Sequence, residues 1–276
     1  MARVLRFIFI PGYMLFSSLL LGQEPAIPES QPATATTTSA TPAEIDPKVE
    51  SILDRLEQRG EQIINIETDI LFRKTDSILE STERYAGVLR YLKDEPNPRF
   101  FICFDRFIQD GRESRQRRWH IFDGRWYIEA NERLKTITKR EIARPDERCD
   151  AFKVGEGPFP LPFGQKKADI LRVFTVEIVP TEDDKDKNLD HLKCTPRPNT
   201  EMDRKYAAVH FYVDRDLNLP VRMQTVDKEE HSEIEVIFPV TSIRINTGLP
   251  ASKLNLPMNE LRDYEITTEP LPDSAG

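Results

Sequence analysis

Apolar and polar residues alternate with a period of two along much of this chain, which predicts β-strands. The clearest alternation surrounds the pair Asp123-Gly124. Such a pair is typical of a tight hairpin, because both central residues of a type I′ turn need a positive φ. With a two-residue loop, Phe122 would face Arg125, and strand alternation would place four large apolar side chains on one face of the sheet. These side chains are Trp119, Ile121, Trp126 and Ile128.

Two segments have helical spacing instead. Asp46 is a suitable N-cap, Pro47 suits the first helical position, and Gly60 is placed to end the helix. Between them, the apolar residues Val49, Ile52, Leu53 and Leu56 recur with a helical period. A second, shorter helix is predicted for residues 165–173.

The remaining alternation predicts about ten or eleven strands, most of them joined by short connections. They lie near residues 64–73, 81–93, 99–108, 119–122, 125–128, 134–142, 174–178, 191–195, 206–213, 220–226 and 232–238, with a weak signal at the C-terminal end. We therefore predict an α+β fold: a large curved antiparallel sheet with an N-terminal helix and a central helix.

Residues 155–164 fit neither a strand nor a helix interior, because three prolines remove backbone donors there. We expect this Pro-rich segment to form a lid over the sheet. Its apolar contacts would be Phe159, Leu161 and Phe163.

The N-terminus is typical of an export signal, with Arg3 and Arg6 before an apolar run over residues 7–21. At about 1.5 Å per residue, that run is shorter than the ~30 Å hydrocarbon core, so an uncleaved membrane anchor is the less favoured alternative. We predict a signal peptide at 1–22, a disordered Pro/Thr/Ala-rich linker at 23–45, a folded domain at 46–268 and a disordered tail at 269–276. The mature protein would be periplasmic or secreted.

The charge of the chain argues against nucleic acid as a partner. The net charge is −8, and removal of residues 1–22, which contain two arginines and no acids, makes it −10. The arginines Arg112, Arg115, Arg117 and Arg118 are a local exception. We favour a solvated strand end for them, with a docking patch for an acidic partner or anionic lipid as the alternative.

No motif in the sequence indicates catalysis or a metal site. The four histidines are scattered and are expected to be strand residues near solvent, and there is no nucleophile elbow or phosphate-binding loop. The three cysteines include no Cys-x-x-Cys pair; Cys149 and Cys194 could form a disulfide, and Cys103 fits a buried thiol. We expect no enzyme activity, no catalytic residues, no cofactor and no metal. A hydrolase using scattered carboxylates is a third, weaker hypothesis.

The apolar hairpin face has two interpretations, a plain core or the wall of a lipid-sized cavity. A sheet of many strands twists and curls, and two short helices leave much of a large concave face to be filled. An apolar ligand suits the remaining space. The candidate ligand-binding residues are Trp119, Ile121, Trp126 and Ile128, with Phe100, Ile102, Phe104, Phe159, Leu161 and Phe163 as further wall positions.

Several segments, taken in order, carry a family resemblance. They are residues 52–56 leading into 64–68, 85–93 followed by Pro96-Asn97, the hairpin 122–127, and the turn 214–221 before a late strand. In this order they resemble the outer-membrane lipoprotein carrier (LolA-like) superfamily, and residues 157–164 more closely resemble a subfamily of uncharacterised planctomycete domains. The resemblance implies an unclosed β-barrel lidded by helices, in a family whose carriers hold lipoprotein acyl chains in the periplasm.

One motif departs from the family pattern. Where its carriers often have Lys-Arg-Pro-Asn, this chain has Lys-Asp-Glu-Pro-Asn at residues 93–97, so the arginine that helps to fasten the lid is not matched. The leading hypothesis is thus an exported, non-enzymatic carrier or sensor of acyl chains. Its partners would be a lipid or an acylated lipoprotein, with a membrane-bound protein as a further partner. The alternative is an interaction or scaffold domain whose concave face is filled by its own helices.

Overall fold

One antiparallel sheet dominates the computed structural model, as the alternation predicts. The structure describes residues 45–94, 97–109, 111–145, 147, 166–180, 186–228 and 231–271, all within one compact unit. The predicted signal peptide, almost all of the linker, and the lid residues Phe159, Leu161 and Phe163 lie outside the described residues.

Thirteen strands occupy the described part of the chain, two or three more than the alternation predicts. They are β1 (Asn65–Asp76), β2 (Ser81–Leu92), β3 (Arg99–Gln109), β4 (Arg112–Phe122), β5 (Trp126–Asn131), β6 (Thr136–Glu141), β7 (Phe174–Val179), β8 (Leu189–Pro196), β9 (Tyr206–Asp214), β10 (Leu219–Asp227), β11 (Ser232–Ile237), β12 (Arg244–Ile245) and β13 (Glu265–Glu269). The helices are α1 (Pro47–Gln62), α2 (Lys167–Val173) and α3 (Glu201–Lys205). None of these described helices is long and apolar enough to cross a membrane.

The strand order is β13-β6-β5-β4-β3-β2-β1-β11-β10-β9-β8-β7, and β12 pairs with β1 beside this path. Among the described pairs only β13 and β6 run parallel. The edge strands β13 and β7 do not pair with each other in the described structure, so the sheet is unclosed. The predicted fold class, a large open antiparallel sheet with few helices, is confirmed.

Helix α1 begins as predicted and ends slightly later. The Asp46 carboxylate accepts a hydrogen bond from the backbone N–H of Lys48 at 2.8 Å, and Pro47 starts the helix. The helix continues two residues beyond Gly60, to Gln62. It contacts α2, β7 and β10, and it buries Val49, Ile52 and Leu53.

The predicted two-residue hairpin loop is wrong. Phe122 pairs with Tyr127 rather than with Arg125, so four residues, 123–126, lie between the paired positions. The Asp123 carboxylate explains the longer loop, because its Oδ1 accepts from the backbone N–H groups of Arg125 at 3.0 Å and Trp126 at 2.8 Å. The register differs from the prediction by two residues, which leaves each side chain on its predicted face.

Two further elements, β13 and α3, differ from the sequence prediction. Glu269 belongs to β13 instead of a tail, and the backbone N–H of Leu271 donates to Glu141 Oε2 at 3.0 Å. Helix α3 was not predicted, because its five residues are too few to show a helical period.

The sheet has an apolar layer on each face. We call the face that contacts α1 the inner face, and the face covered by residues 249–264 the outer face. The inner layer includes Ile66, Ile70, Leu89 and Phe100 together with the helix residues Val49, Ile52 and Leu53. The outer layer includes Phe101, Trp119, Ile121, Ala130, Ile137, Leu249, Leu254 and Leu261. Among the described residues, α1 packs on the inner layer, whereas the outer layer is covered by the C-terminal segment, which includes the short 3-10 helix Ala251–Leu254.

Candidate functional site

The structure divides the predicted apolar site between the two faces. Phe100, Ile102 and Phe104 lie in the inner layer, whereas Trp119 and Ile121 lie in the outer layer. The pairing of β3 with β4 explains this division. Residues opposite each other share a face, and Trp119 is paired with Cys103 while Ile121 is paired with Phe101. These predicted site residues are therefore not brought together around one cavity.

The outer layer is closed by the C-terminal segment. Trp119 is 2% exposed and packs in the same layer as Leu249, Leu254 and Leu261. Ile128 is partly buried against this layer. Trp126 shares this face by strand alternation but is only half-buried, with the cationic groups of Arg125 and Lys139 at 5.3 and 5.2 Å from its ring. Trp119 and Ile121 therefore belong to a protein core.

The inner face carries a series of aromatic rings from β1 to β5, in two groups that the His120 ring connects. We call it the aromatic row; its members are Phe72, Tyr85, Phe100, Phe104, Phe107, Phe122 and Tyr127. Neighbouring ring centroids lie 4.8 to 6.4 Å apart, as in Tyr85–Phe107 and Phe100–Tyr127. Edge-to-face pairs such as Phe72–Phe104 at 6.0 Å add favourable ring contacts to the burial of apolar area. The row extends across five neighbouring strands of the described sheet.

A partly buried polar cluster lies beside the aromatic row. His120 Nδ1 is 2.9 Å from the Tyr127 hydroxyl oxygen and 3.7 Å from Glu129 Oε1. Arg140 donates to Glu129 Oε2 at 2.7 Å and to Glu269 Oε2 at 2.8 Å. Burial raises the pKa of Glu129, although the charge of Arg140 opposes it. Burial likewise raises the pKa of Tyr127 well above its usual value.

His120 corrects the expectation that the histidines lie near solvent. Its side chain is only 16% exposed, because its alternation position in β4 places it opposite Ile102 on the inner face. Burial, followed by the charge of Arg118, lowers its pKa to about 4. The sequence contained one signal of this inner-face position. His120 follows Trp119 directly, so its side chain must lie on the opposite face of the sheet from Trp119.

The depressed pKa of His120 predicts acid sensitivity. The usual pKa of 6.5 falls to about 4 on folding, so the unfolded chain binds more protons between these values. Stability is then complete above about pH 6.5 and falls as the pH drops toward 4, by about 3 kcal/mol for this one group. Urea unfolding between pH 7 and pH 4 measures the loss. The loss should be smaller in His120→Asn, and equal losses in both proteins would contradict the assignment.

Arg118 lies at one end of the aromatic row. Its guanidinium carbon is 5.1 Å from the ring centre of Tyr85 and 5.8 Å from that of Phe107, and it donates to the Tyr85 hydroxyl at 3.2 Å. Arg117 faces the outer side and binds Glu132 and Glu260. Arg112 and Arg115 are exposed. The basic run is thus a solvated strand end only at its first two positions.

A polar depression lies near the end of α1. It has a volume of about 270 Å³ and is lined by Arg55, Gln58, Arg59, Gln62, Asp216, Leu217 and Asn218. Arg55 bridges it by donating to Asn218 Oδ1 at 3.0 Å and Asp190 Oδ2 at 2.9 Å. Such a lining is unsuited to an acyl chain.

The described cysteines are free thiols. Burial raises the pKa of Cys194 to about 12 and that of Cys103 to about 11. Cys149, the other half of the predicted disulfide, lies outside the described residues. Neither described thiol has the lowered pKa of a reactive cysteine.

No family model matches the sequence, and no curated protein matches it either. The structure is similar to an uncharacterized conserved protein from Thermus thermophilus, at 10% identity and a TM-score of 0.46, over 80% of this chain and 99% of that chain. It is also similar to a LolA superfamily protein from Nitrosomonas europaea, at 10% identity and a TM-score of 0.36, over 75% of this chain and 97% of that chain. A third similar structure is that of the Mycobacterium tuberculosis lipoprotein LppX, at 10% identity and a TM-score of 0.40, over 70% of this chain and 94% of that chain. Likenesses at this level concern the backbone arrangement alone.

Proposed function

We propose that this protein is an exported, non-enzymatic binding protein that holds acyl chains, or another apolar ligand, against the inner face of its sheet. It would act as a carrier or sensor of a lipid or an acylated lipoprotein in the periplasm or outside the cell. The aromatic row supports this proposal most directly. It spans five neighbouring strands, whereas α1 makes its main contacts with α2, β7 and β10, in the other part of the sheet.

The residues proposed for ligand contact are those of the inner face. Phe100, Ile102 and Phe104 remain candidates, and Trp119 and Ile121 are withdrawn because they are enclosed in the outer layer. Ile128 and Trp126 are withdrawn with them, since they share that face. An acyl chain on the inner face would gain about 0.8 kcal/mol per buried methylene, before the costs of ordering.

Ligand entry requires movement. Phe100 and Ile102 are fully buried, so a chain reaches them only after displacing what covers them. We propose that residues 155–164 act as this cover, with Phe159, Leu161 and Phe163 contacting the chain. Arg118, at the end of the row, is placed to attract an anionic headgroup.

A second function is favoured by the contacts of α1. Its Val49, Ile52 and Leu53 already occupy part of the inner layer, which is what an interaction domain filled by its own helix would show. The chain would then present its acidic surface to a protein partner and would hold no lipid. The two functions differ in one measurable property, the binding of an apolar ligand.

Two matched substitutions test acyl binding. Ile102→Phe adds volume on the inner face and should weaken the binding of a fluorescent 16-carbon fatty acid about tenfold. Val88→Phe adds more volume still, but on the outer face, where Val88 packs against the outer layer, and should leave the affinity unchanged. Circular dichroism confirms that both variants fold. Solvent extraction of the purified wild-type chain should also release lipid. Absence of lipid, together with no fatty-acid binding, would favour the interaction domain.

A further inference from the structure

Two histidines meet on the outer face of the other part of the sheet. The pairing of β8 with β9 places Lys193 opposite His210 and His191 opposite Tyr212, so the two histidines are diagonal neighbours. His191 Nε2 and His210 Nδ1 are 2.8 Å apart. At this separation one nitrogen carries the proton of a hydrogen bond and the other accepts it with its lone pair.

The rings are held in place by an ordered stack. The His191 ring lies parallel to that of Tyr212, with centroids 4.1 Å apart and planes 15° apart. The other contact of Tyr212 is the Arg222 guanidinium, 3.5 Å from its ring centre, and Arg222 forms an ion pair with Asp186. A chain of contacts across three elements therefore fixes the orientation of His191 before any ligand arrives.

Both imidazoles lie in surroundings that disfavour the protonated form. Burial, followed by the nearby His210 and Arg222, lowers the pKa of His191 to about 4. Burial, followed by the charge of Lys193, lowers the pKa of His210 as well. Metal ions bind imidazole in its neutral form.

We propose that His191 Nε2 and His210 Nδ1 bind a divalent first-row transition-metal ion, Zn²⁺ or Cu²⁺. Two nitrogens that bind one tetrahedral ion at about 2.0–2.1 Å lie about 3.3 Å apart, so the pair has to open by only about half an ångström. The shared proton moves to the other nitrogen of its own ring, which is a change of tautomer without proton release.

Glu177 is the proposed third ligand. It lies opposite Lys193, which is itself opposite His210, and Lys193 Nζ holds Glu177 Oε1 at 2.8 Å. The hydrogen bond and charge of Lys193 lower the pKa of Glu177. No group of three or more potential ligands is preassembled in the described residues. Metal binding would therefore exchange the Lys193 contact for the ion, and water would complete the coordination.

Calorimetric titration of the untagged full-length chain with Zn²⁺ alone, and with Cu²⁺ alone, tests the site. We expect one equivalent to bind, with Cu²⁺ bound more tightly, as the general affinity order of these ions requires. His191→Ala and His210→Ala should each weaken binding about 10- to 100-fold. His231→Ala is the matched control, because His231 is an exposed histidine outside the pair, and it should keep wild-type affinity.

Two outcomes would overturn the proposal. The first is a wild-type dissociation constant equal to that of the His191→Ala/His210→Ala double variant, and the second is equal affinity in all single variants. Nitrogen splitting in the Cu²⁺ paramagnetic resonance spectrum should appear in wild type and disappear in the double variant. Glu177→Gln should weaken Zn²⁺ binding, and an unchanged constant would remove Glu177 from the ligand set. Fatty-acid binding is measured separately, since the metal site lies on the opposite face of the sheet.

Discussion

Gly87→Ala is expected to lower the free energy of unfolding by at least about 3 kcal/mol. A Cβ at Gly87 would lie 1.9 Å from the carbonyl oxygen of Cys103 and 2.7 Å from the Cα of Phe104. Both are backbone atoms of β3, at the point where the pairing with β2 shifts register. They cannot rotate away as a side-chain end can, so the two central strands would have to separate. Urea unfolding followed by circular dichroism measures the loss.

Gly111→Ala is the matched control for this prediction. Gly111 has a φ of +74°, and an added Cβ there would meet no described atom within 4 Å. Its cost is backbone strain alone, about 1–2 kcal/mol. A Gly87→Ala variant that is no less stable than Gly111→Ala would show that β2 and β3 are not in close contact at this point.

Trp119→Ala is expected to cost about 3–5 kcal/mol, whereas Trp126→Ala should cost only about 1 kcal/mol. The alternation predicts that both indoles lie on the same face of the sheet and does not distinguish their burial. The structure separates them, because Trp119 is enclosed by Leu254 and Leu261 while Trp126 is half-buried beneath two cations. Thermal and urea unfolding of the two variants give the comparison. Similar losses in both would place Trp126 in the core as well.

The Trp119→Ala variant also tests where the acyl chain binds. Trp119 lies on the outer face, away from the proposed acyl site. At a temperature where Trp119→Ala remains folded, its affinity for a fluorescent fatty acid should match that of wild type. A large loss of affinity in the folded variant would return Trp119 to the ligand site.

Much of the fold follows from local pattern. The N-cap Asp46 with Pro47 predicts the start of α1, and the alternation after residue 64 predicts β1 to within a few residues. The period also predicts correctly that Trp119 and Ile121 share a face. The period of two does not predict which segment covers that face. Leu249, Leu254 and Leu261 have no regular spacing, so their role in closing the outer layer becomes visible only with the fold.

The polar cluster was harder to predict because its members come from three strands. His120, Glu129 and Arg140 are separated along the chain, and their meeting depends on the register of β4, β5 and β6. That register depends on the hairpin loop, where the Asp123 carboxylate holds two backbone N–H groups and lengthens the turn. The His191–His210 pair likewise depends on the exact alignment of β8 with β9.

Photolabelling with a diazirine-bearing fatty acid tests the inner-face assignment most directly, because it uses the unmodified wild-type chain. Irradiation of the complex and tandem mass spectrometry of its peptides identify the residues that contact the acyl chain. Inner-face residues such as Phe100, Phe104 and Tyr85 should carry the label. Labelling confined to Trp119, Leu254 or Leu261, in competition with unlabelled fatty acid, would contradict the account.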